Sequence, residues 1–559
     1  MITDTTKTTK IYNELSEDDN KKYFNYTKHK YISHIDTLYF VAYVGKKVSS
    51  FGETGIIDLG CWGKDCGEKC VIDLLSQLKQ YKDMVLATKK PVEVFPELEK
   101  DIFMSFKSFE LYTYNIGVKD KFDIFISDYL PNKDTPPIFI QLRSASLWLD
   151  GVYSAFDIAC NLLDKILGKY GLGVIKVKEN RIDYAYHTNY IQDILHFFPI
   201  EKLADMQVSN FKRWQVQGYF HDGSSLSDYF TLGRRKSNNV FFRVYDKTKE
   251  VIEQGYKHFF IPIWLEEGLI NQFDFEVLTM CAKMGNNWEN IDRCRAWWYI
   301  THGKDLDLIV KLGAFTSNPE LPIDELSKLL RGVVPKVTTI CNLEFQVKRK
   351  FFSRLTIKDC DQQTIDEFEV LLKIFKGINV DNNSYRNYMY NLIGQSKSIT
   401  DFLTKNTIRF IRYKSESDLA IPKHKREMAD FWKRLRACEP YELSSIKCEY
   451  CRTYQKNIDK ELILNGLVSK MATYSAYNSF ENENLWSADE VSSDVLMHLN
   501  DNDLHEKYID KSTRKGQELR KFYYVNKNKL LSQISKEQIQ ETQLLLDGLE
   551  VFKLEDSQK

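Results

Sequence analysis

The stretch Asp228–Glu250, DYFTLGRRKSNNVFFRVYDKTKE, predicts a β-hairpin whose second strand carries an unusual set of side chains. Alternation along that strand places Arg243, Tyr245 and Lys247 on one face. The apolar residues between them face the other way and are free to bury. This leaves a tyrosine flanked by two cations, which is a potential nucleophile toward a phosphodiester.

Two further segments are predicted to be strands with polar residues on one face. In RIDYAYH, Arg181, Asp183 and His187 share a face, and in NQFDFEV, Asp274 and Glu276 alternate with apolar residues. If the polar faces of these strands converge on the hairpin, two or three metal ligands lie beside the tyrosine.

The chemistry of such a site follows from the acidity of a phenol. Its pKa near 10 makes tyrosine a poor nucleophile at neutral pH unless positive charge stabilises the oxyanion. Lys247 and Arg243 are suited to that role. Mg²⁺ or Mn²⁺ held by Asp183 and Glu276 would neutralise charge on the phosphate, with His187 as a third ligand or a proton carrier.

Each of these residues also has a structural interpretation. A charged residue on the wet face of a strand is common in antiparallel sheets, and a strand tyrosine more often packs in a core or against a neighbouring strand. A single histidine is more often a structural residue than a ligand. The functional interpretation therefore depends on the co-occurrence of these residues.

Around this centre the predicted elements are strands with intervening helices. HIDTLYFVAYV, FDIFISDYL and PPIFIQLRSASLWL are strand-like, and SAFDIACNLLDKILGKYG is helical and ends at Gly171. The order predicts an α+β fold in which an antiparallel-rich sheet forms a catalytic domain over 31–300, with a helical C-terminal extension. We expect a polar tail over 1–30, a second part of the same region with an inserted helical segment over 301–413, and a helical region over 414–559.

Composition fits a globular protein. The chain has 559 residues, 43% of them hydrophobic, and its 78 basic and 78 acidic residues cancel, so only local patches bear on nucleic-acid binding. No apolar run is long enough to cross a bilayer, and we expect a cytoplasmic protein.

The 11 cysteines favour reduced thiols over a disulfide framework. Structural zinc is a minor alternative at two clusters, Cys61, Cys66 and Cys70, and Cys438, Cys448 and Cys451 with His424.

Three clusters of cations favour DNA as the partner. The segment KHKREMADFWKRLR also interleaves Phe431 and Trp432, which would suit base stacking. Any single cluster is more often a solvated helix or turn. The predicted DNA-binding residues are Arg234, Arg235, Lys236, Lys348, Arg349, Lys425, Arg426, Lys433 and Arg434.

The sequence also resembles a known family. GRRKSNNVFFRVYDKTKE is similar to the signature GSxxS…xRxYxKxxE of the trans-acting replication initiators (Rep_trans) of rolling-circle plasmids, shared with relaxases of some conjugative transposons. RIDYAYH resembles that family's RxDxAxD strand, and QFDFEV its RFEVE strand. The likeness extends in patches over residues 35–437. It implies a nicking and joining enzyme that acts through Tyr245 and forms a 5′-phosphotyrosine.

Several positions depart from the family pattern. His187 stands where the family has a second acid, and Gly233-Arg234 replaces Gly-Ser. LEFQVKRKFF is a second candidate for the acidic strand, which makes Glu344 the alternative ligand to Glu276.

Functions other than replication initiation stay open. A conjugative relaxase would use the same chemistry, a non-catalytic DNA-binding protein would use the same sheet, and a metal-dependent nuclease would use water. The expected DNA partner is an origin hairpin or single strand. Because no GxxxxGK[ST] loop is present, unwinding would need a host helicase, and a homodimer is a further expectation.

Overall fold

The structure is a computed structural model that describes residues 18, 29–50, 53–130, 135–209, 214–216, 228–235, 238–317, 322–360, 385–412, 421–440, 448–452, 460–478, 486–499 and 505–513. The chain divides into two compact units, Met1–Cys451 and Arg452–Lys559.

A twelve-stranded antiparallel sheet dominates the first unit. Its first strand is long enough to pair with three neighbours. The strands are β1 (Tyr31–Ser50), β2 (Glu53–Asp58), β3 (Val92–Glu93), β4 (Ile102–Met104), β5 (Tyr114–Val118), β6 (Phe122–Ile126), β7 (Ile138–Leu142), β8 (Leu172–Thr188), β10 (Trp214–Val216), β11 (Asp228–Leu232), β12 (Val240–Asp246) and β13 (Cys341–Lys348). Four further strands form two separate pairs, β9 (Gln207–Ser209) with β15 (Ile408–Phe410) and β14 (Leu355–Cys360) with β16 (Cys448–Arg452).

The order across the sheet is β10-β11-β12-β13-β8-β1-β7-β6-β5-β4-β3, with β2 paired to β1. Strand β13 therefore lies between the hairpin and β8, although more than 90 residues separate β12 from it in sequence. The segment predicted to follow the catalytic domain thus supplies a central strand of the same sheet.

Helices of the first unit cover both faces of this sheet. They are α1 (Lys69–Thr88), α2 (Ser144–Leu149), α3 (Val152–Lys169), α4 (Ile194–Phe197), α5 (Lys247–Glu253), α6 (Phe260–Glu266), α7 (Gln272–Lys283), α8 (Ile291–His302), α9 (Leu306–Ser317), α10 (Ile323–Leu330), α11 (Arg349–Phe352), α12 (Asn387–Gly394), α13 (Ser396–Phe402) and α14 (Asp430–Ala437). In the second unit the described helices are α15 (Lys460–Asn478), α16 (Ala488–Leu499) and a helix over 505–513. The predicted α+β class is confirmed.

The predicted hairpin forms from β11 and β12, with Gly233 at φ 90° in the turn region. The prediction that Lys247 belongs to the second strand is wrong. That strand ends at Asp246, whose carboxylate accepts a hydrogen bond from the Lys249 backbone N–H and caps α5. Lys247 is therefore the first residue of a helix.

The prediction of a strand for NQFDFEV is also wrong, because this segment forms the start of α7. The Asn271 side chain accepts from the Asp274 N–H, and the Asp274 carboxylate accepts from the Asn271 N–H. This reciprocal capping box satisfies two N–H groups that the first helical turn leaves free. The capping hydrogen bonds thus stabilise a helix here, although the alternating pattern favours a strand.

The sheet has one apolar face and one face of mixed character. On the apolar face, Phe242 and Phe345 pack against Trp432, and Phe40 packs against Phe156 of α3. These contacts belong to the main hydrophobic core. The opposite face carries Tyr245 and is here called the site face. Among the described residues, no helix is both long enough and apolar enough to cross a membrane.

Candidate functional site

Sheet register brings the candidate nucleophile together with residues of two neighbouring strands. Tyr245 lies opposite Asn342 of β13, which lies opposite His187 of β8. Two positions further along, Arg243 lies opposite Glu344. Because alternate residues share a face, all five side chains belong to the site face.

The hydroxyl of Tyr245 takes part in three hydrogen bonds. It accepts one from Nδ2 of Asn342 at 2.8 Å and one from Nζ of Lys247 at 3.3 Å, and it donates one to Oε2 of Glu344 at 3.2 Å. The tyrosine is fully buried. A carboxylate that can accept a proton and a cation therefore both contact the oxygen that the sequence predicts to be a nucleophile.

Glu344 is held by a guanidinium. Nε and NH2 of Arg243 each lie 3.0 Å from a different oxygen of the Glu344 carboxylate, so the pair is bidentate. The Arg243 guanidinium also lies 4.7 Å from the centre of the Tyr245 ring. The Arg243 cation thus contacts both the Glu344 carboxylate and the Tyr245 ring.

Lys247 is the centre of a buried charge cluster. Its Nζ lies 2.8 Å from Glu250 and 3.6 Å from Asp36, and Glu250 also binds Lys257 at 2.7 Å. Burial alone would lower the pKa of Lys247, but the charges of Asp36 and Glu250 raise it well above its usual value. Lys247 is therefore positively charged although it is fully buried.

Asp36 reaches this cluster because of a β-bulge. The register of β1 against β8 shifts between Ile35 and Thr37, so Asp36 is the extra residue. Its Oδ1 accepts hydrogen bonds from Ser144 and from the indole of Trp148. Burial would raise the pKa of Asp36, but Lys247 and other cations hold it below the ordinary value. Sequence reasoning missed Asp36, since nothing local marks a bulge.

Sequence reasoning also missed Asn342 and did not assign Glu250. Glu250 is the last letter of the RxYxKxxE motif, so its spacing from Lys247, one helical turn, was an available signal. Burial would raise the pKa of Glu250, but the charges of Lys247 and Lys257 lower it to about 2. It is therefore a carboxylate that keeps Lys247 in place.

Burial acts against ionisation of the Tyr245 hydroxyl. It raises the pKa of Tyr245 well above 10, and Lys247 only partly opposes this effect. In the structure as described, Tyr245 is a neutral phenol. Formation of the oxyanion requires transfer of its proton to an acceptor such as Glu344 together with stabilisation by Lys247.

Asp183, one of the predicted metal ligands, lies on the site face but pairs with an arginine. Nε of Arg181 donates to Oδ1 of Asp183 at 2.8 Å, and NH2 donates to Oδ2. Burial raises the pKa of Asp183, Arg181 opposes that shift, and the nearby charge of Glu344 adds to it. Asp183 and Glu344 are thus near one another, and each is engaged by its own guanidinium.

His187, the second predicted ligand, lies in an aromatic pocket. Its ring stacks on Trp148 with centroids 5.0 Å apart, and its Nδ1 accepts a hydrogen bond from the indole of Trp264 at 3.2 Å. Burial, with the positive charge of Lys247, lowers its pKa to about 3. His187 is therefore neutral, and its Nε2 finds no hydrogen-bond partner within the described part of the chain.

Glu276, the third predicted ligand, lies on α7 and is not brought to Tyr245. Its carboxylate accepts hydrogen bonds from Gln272 at 2.9 Å and from the indole of Trp298 at 3.0 Å. The runner-up, Glu344, is the acid that contacts the tyrosine. Among the described residues no three His, Cys, Asp or Glu side chains form a metal-binding group. The predicted set Asp183, Glu276 and His187 therefore does not fit a single Mg²⁺ or Mn²⁺ ion.

The predicted DNA-binding residues are spread over several environments. Arg234 and Arg235 are exposed beside the hairpin turn, Lys348 donates to the Arg235 carbonyl oxygen at 2.6 Å, and Arg349 is half-buried. Lys425, Lys433 and Arg434 are exposed. Lys236 lies outside the described residues.

Part of the predicted DNA-binding helix is structural. Phe431 and Trp432 are buried in the core, so the prediction that they stack on bases is wrong. Arg426 is also buried and donates to the Ile421 carbonyl oxygen at 2.8 Å. Helical periodicity explains this, because the aromatic pair lies on the face of α14 that packs against the sheet.

The cysteine clusters differ from the sequence expectation. Cys61 and Cys66 form a disulfide, which contradicts the expectation of reduced thiols there, and Cys70 is free. Zinc binding by all three is incompatible with that bond. In the second cluster Cys438 is a free thiol that donates to the Tyr31 carbonyl oxygen, and the side chains of Cys448 and Cys451 lie outside the described part.

Comparisons with known proteins find a weak structural similarity. No protein-family model matches the chain, and no curated protein matches it. Among solved structures, it is similar to a rolling circle replication initiator protein from Geobacillus stearothermophilus, with 10% identity over 74% of this chain and 100% of that chain. The TM-score is 0.32, which is too low to carry an argument about fold or function.

Proposed function

We propose that this protein is a DNA nicking and joining enzyme that uses Tyr245 as its nucleophile, and that it initiates rolling-circle replication at an origin. The observation that carries the proposal is the set of contacts at the Tyr245 hydroxyl. A single buried oxygen contacts a lysine, an amide and a carboxylate that is itself paired with an arginine. The motif resemblance to replication initiators supports the same assignment.

Glu344 and Lys247 have separate roles in the proposed transesterification. Glu344 accepts the phenolic proton while the positive charge of Lys247 stabilises the developing oxyanion. The oxyanion attacks the phosphorus, the bond to the 3′ oxygen breaks, and the leaving 3′ oxygen takes up a proton. The products are a 5′-phosphotyrosine and a free 3′ hydroxyl. Reversal of the same steps rejoins the strand without ATP.

Three residues act indirectly. Glu250 and Asp36 are positioning residues, because they contact Lys247 and not the hydroxyl. Arg243 orients Glu344 and lies against the tyrosine ring. Because Tyr245 is buried, attack on DNA also requires a movement that exposes the hydroxyl to the phosphate.

A requirement for Mg²⁺ or Mn²⁺ stays a prediction from the sequence. Glu344, which contacts the tyrosine, and Asp183, a predicted metal ligand, are both ion-paired to arginines. A divalent ion would have to displace a guanidinium from one of them. The yield of adduct in EDTA, compared with added Mn²⁺, measures the dependence.

The direct test uses single-stranded DNA that carries the origin-like region of the protein's own element. Purified protein and its Tyr245→Phe variant are incubated with Mn²⁺ and analysed on a denaturing gel for protein-linked DNA. We expect an adduct that disappears in the variant. The stability of the variant should fall by about 1 to 3 kcal/mol, because the buried partners of the lost hydroxyl are left without a hydrogen bond. An adduct that persists in Tyr245→Phe would show that another residue is the nucleophile.

The full burial of Tyr245 favours a second candidate, a DNA-binding protein in which the cluster is structural. That protein would bind the strand equally well with and without Mn²⁺ and would form no adduct. Cleavage without an adduct, undiminished in Tyr245→Phe, would instead identify a nuclease that uses water. A conjugative relaxase would give the same adduct as an initiator, and the DNA that is nicked, from a replication origin or a transfer origin, distinguishes them.

A further inference from the structure

A cavity of about 710 Å³ lies at the far end of the site face from Tyr245. Its lining includes Tyr43 of β1, Lys176 and Lys178 of β8, and Arg349 of α11, together with Trp62 and Tyr129 from loops. We call it the Lys176 cavity. Its volume is in the range of pockets that bind small molecules or a few nucleotide units.

The Lys176 cavity lies on the same sheet face as the candidate nucleophile. Tyr43 pairs with Lys176, and Tyr39 pairs with Arg181. A register shift between Tyr39 and Phe40 keeps Lys178 on the side of Arg181 in spite of the odd spacing. At about 3.3 Å per residue along β8, Lys176 lies roughly 35 Å from the level of Tyr245.

The cations of the cavity are available to a ligand. Lys176 is exposed, Lys178 and Arg349 are half-buried, and among the described residues none of the three forms an ion pair, although the charges of Lys178 and Arg349 act on the carboxyl group of Glu179. Two acids also line the cavity, Asp58 at the end of β2 and Asp65. The acids come from the end of β2 and the segment that follows it, whereas the cations come from β8 and α11, so one wall is positive.

Aromatic rings accompany these cations. Tyr129 is 53% exposed, and Lys176 Nζ lies 4.5 Å from the centre of the Tyr43 ring. Trp62 is buried and donates its indole N–H to the Ser127 carbonyl oxygen at 2.8 Å, so it forms the floor of the cavity. Cations beside exposed rings are the combination that single-stranded nucleic acid requires, because phosphates pair with the cations while bases stack.

We propose that the Lys176 cavity binds single-stranded DNA that flanks the nick. Lys176, Lys178 and Arg349 contact phosphates, and Tyr129 stacks on a base. This inference rests on the proposed function for its choice of DNA. A strand that reaches from Tyr245 to the cavity spans roughly 35 Å along β8, and single-strand sites in proteins span about 4 to 16 nucleotides.

The test measures the affinity of the full-length protein for labelled oligo(dT) by fluorescence anisotropy over a series of salt concentrations. The variant Lys176→Ala/Lys178→Ala is expected to bind about tenfold more weakly, and the slope of log affinity against log salt falls by about 1.4, or about 0.7 for each lost phosphate contact. Tyr129→Ala is expected to bind about tenfold more weakly with an unchanged slope.

A matched control removes two lysines from the opposite side of the sheet. Lys165→Ala/Lys169→Ala, on α3, breaks exposed pairs with Glu99 and Glu97 and is expected to leave affinity and slope unchanged. Circular dichroism confirms that each variant is folded. Unchanged affinity in both cavity variants overturns the proposal, and so does an equal loss in the control.

Two further measurements separate this proposal from the proposed function. Adduct formation by Lys176→Ala/Lys178→Ala at saturating DNA is expected to equal that of the parent protein, because the cavity does not contact Tyr245. If the parent forms no adduct but the cavity variants lose affinity for single-stranded DNA, the proposed nicking function is wrong and the proposed binding of single strands at the Lys176 cavity is supported. If the cavity variants lose affinity for duplex DNA to the same extent, the assignment to single strands is overturned.

Discussion

The hydroxyl of Tyr245 donates a hydrogen bond to the carboxylate of Glu344 across two neighbouring strands, with Oη and Oε2 3.2 Å apart. The two residues are 99 positions apart in sequence. This relationship gives the tyrosine a proton acceptor that the hairpin by itself does not contain. Glu276, the acid that the sequence favoured, lies on α7 and does not contact the tyrosine.

Glu344→Ala should abolish adduct formation and lower stability. The substitution leaves the largely buried Arg243 guanidinium without its carboxylate, and loss of one partner of a buried pair costs about 3 kcal/mol or more. Urea denaturation measures the loss. The double variant Arg243→Met/Glu344→Leu should regain much of that stability but not the adduct. Adduct formation by the double variant would contradict the role of Glu344.

Lys247→Met should also be destabilising, by about 3 kcal/mol, because it leaves two buried carboxylates, Asp36 and Glu250, without their shared cation. Lys249→Met is the matched control two residues away. Its ammonium is exposed and lies 3.7 Å from Glu253, so its removal should change the free energy of unfolding by less than about 0.5 kcal/mol. Equal effects of the two substitutions would show that the buried cluster contributes no special stability.

His187 should make the protein less stable in mild acid. Its folded pKa of about 3 lies below the unfolded value of about 6.5, so the unfolded state binds more protons between those values and stability falls as pH drops through 6.5. Between pH 7 and pH 5 this one group costs about 2 kcal/mol. Asp36, Glu250 and Lys247 act on the same ring, and their pKa values lie outside this window, while His34 also acts on the ring and helps to lower its pKa.

The measurement is urea denaturation at pH 7 and pH 5 for the parent and for His187→Gln, which keeps an acceptor for the Trp264 indole. The variant should lose about 2 kcal/mol less between the two pH values than the parent does. An identical pH dependence in both proteins would mean that His187 is not the titrating group.

Asn271→Ala should lower stability by about 1 kcal/mol, because it removes the cap of α7. Asn271→Asp keeps an acceptor for the Asp274 N–H and should be close to neutral. Both are measured by thermal or urea denaturation. A strand at this position would instead make both substitutions equivalent, and that result would contradict the helix.

Much of the site was predictable because its pattern is local. The alternation of β12 placed Arg243 and Tyr245 on one face, and the alternation of RIDYAYH placed Asp183 and His187 together. The capping box of Asn271 and Asp274 was also visible in sequence, as an Asn followed three residues later by an acid. The alternation of polar and apolar residues in NQFDFEV predicts a strand instead, but a short helix can carry the same alternation.

The amino-acid sequence by itself determined the α+β class, the hairpin and the tyrosine with its neighbouring cations, since these depend on periodicity and spacing within a few residues. Only the tertiary structure decided which acid meets the tyrosine. Strand order places β13 beside β12, and a bulge turns Asp36 toward Lys247. Both are long-range effects, because sheet register is set by the packing of the whole core and not by any single segment.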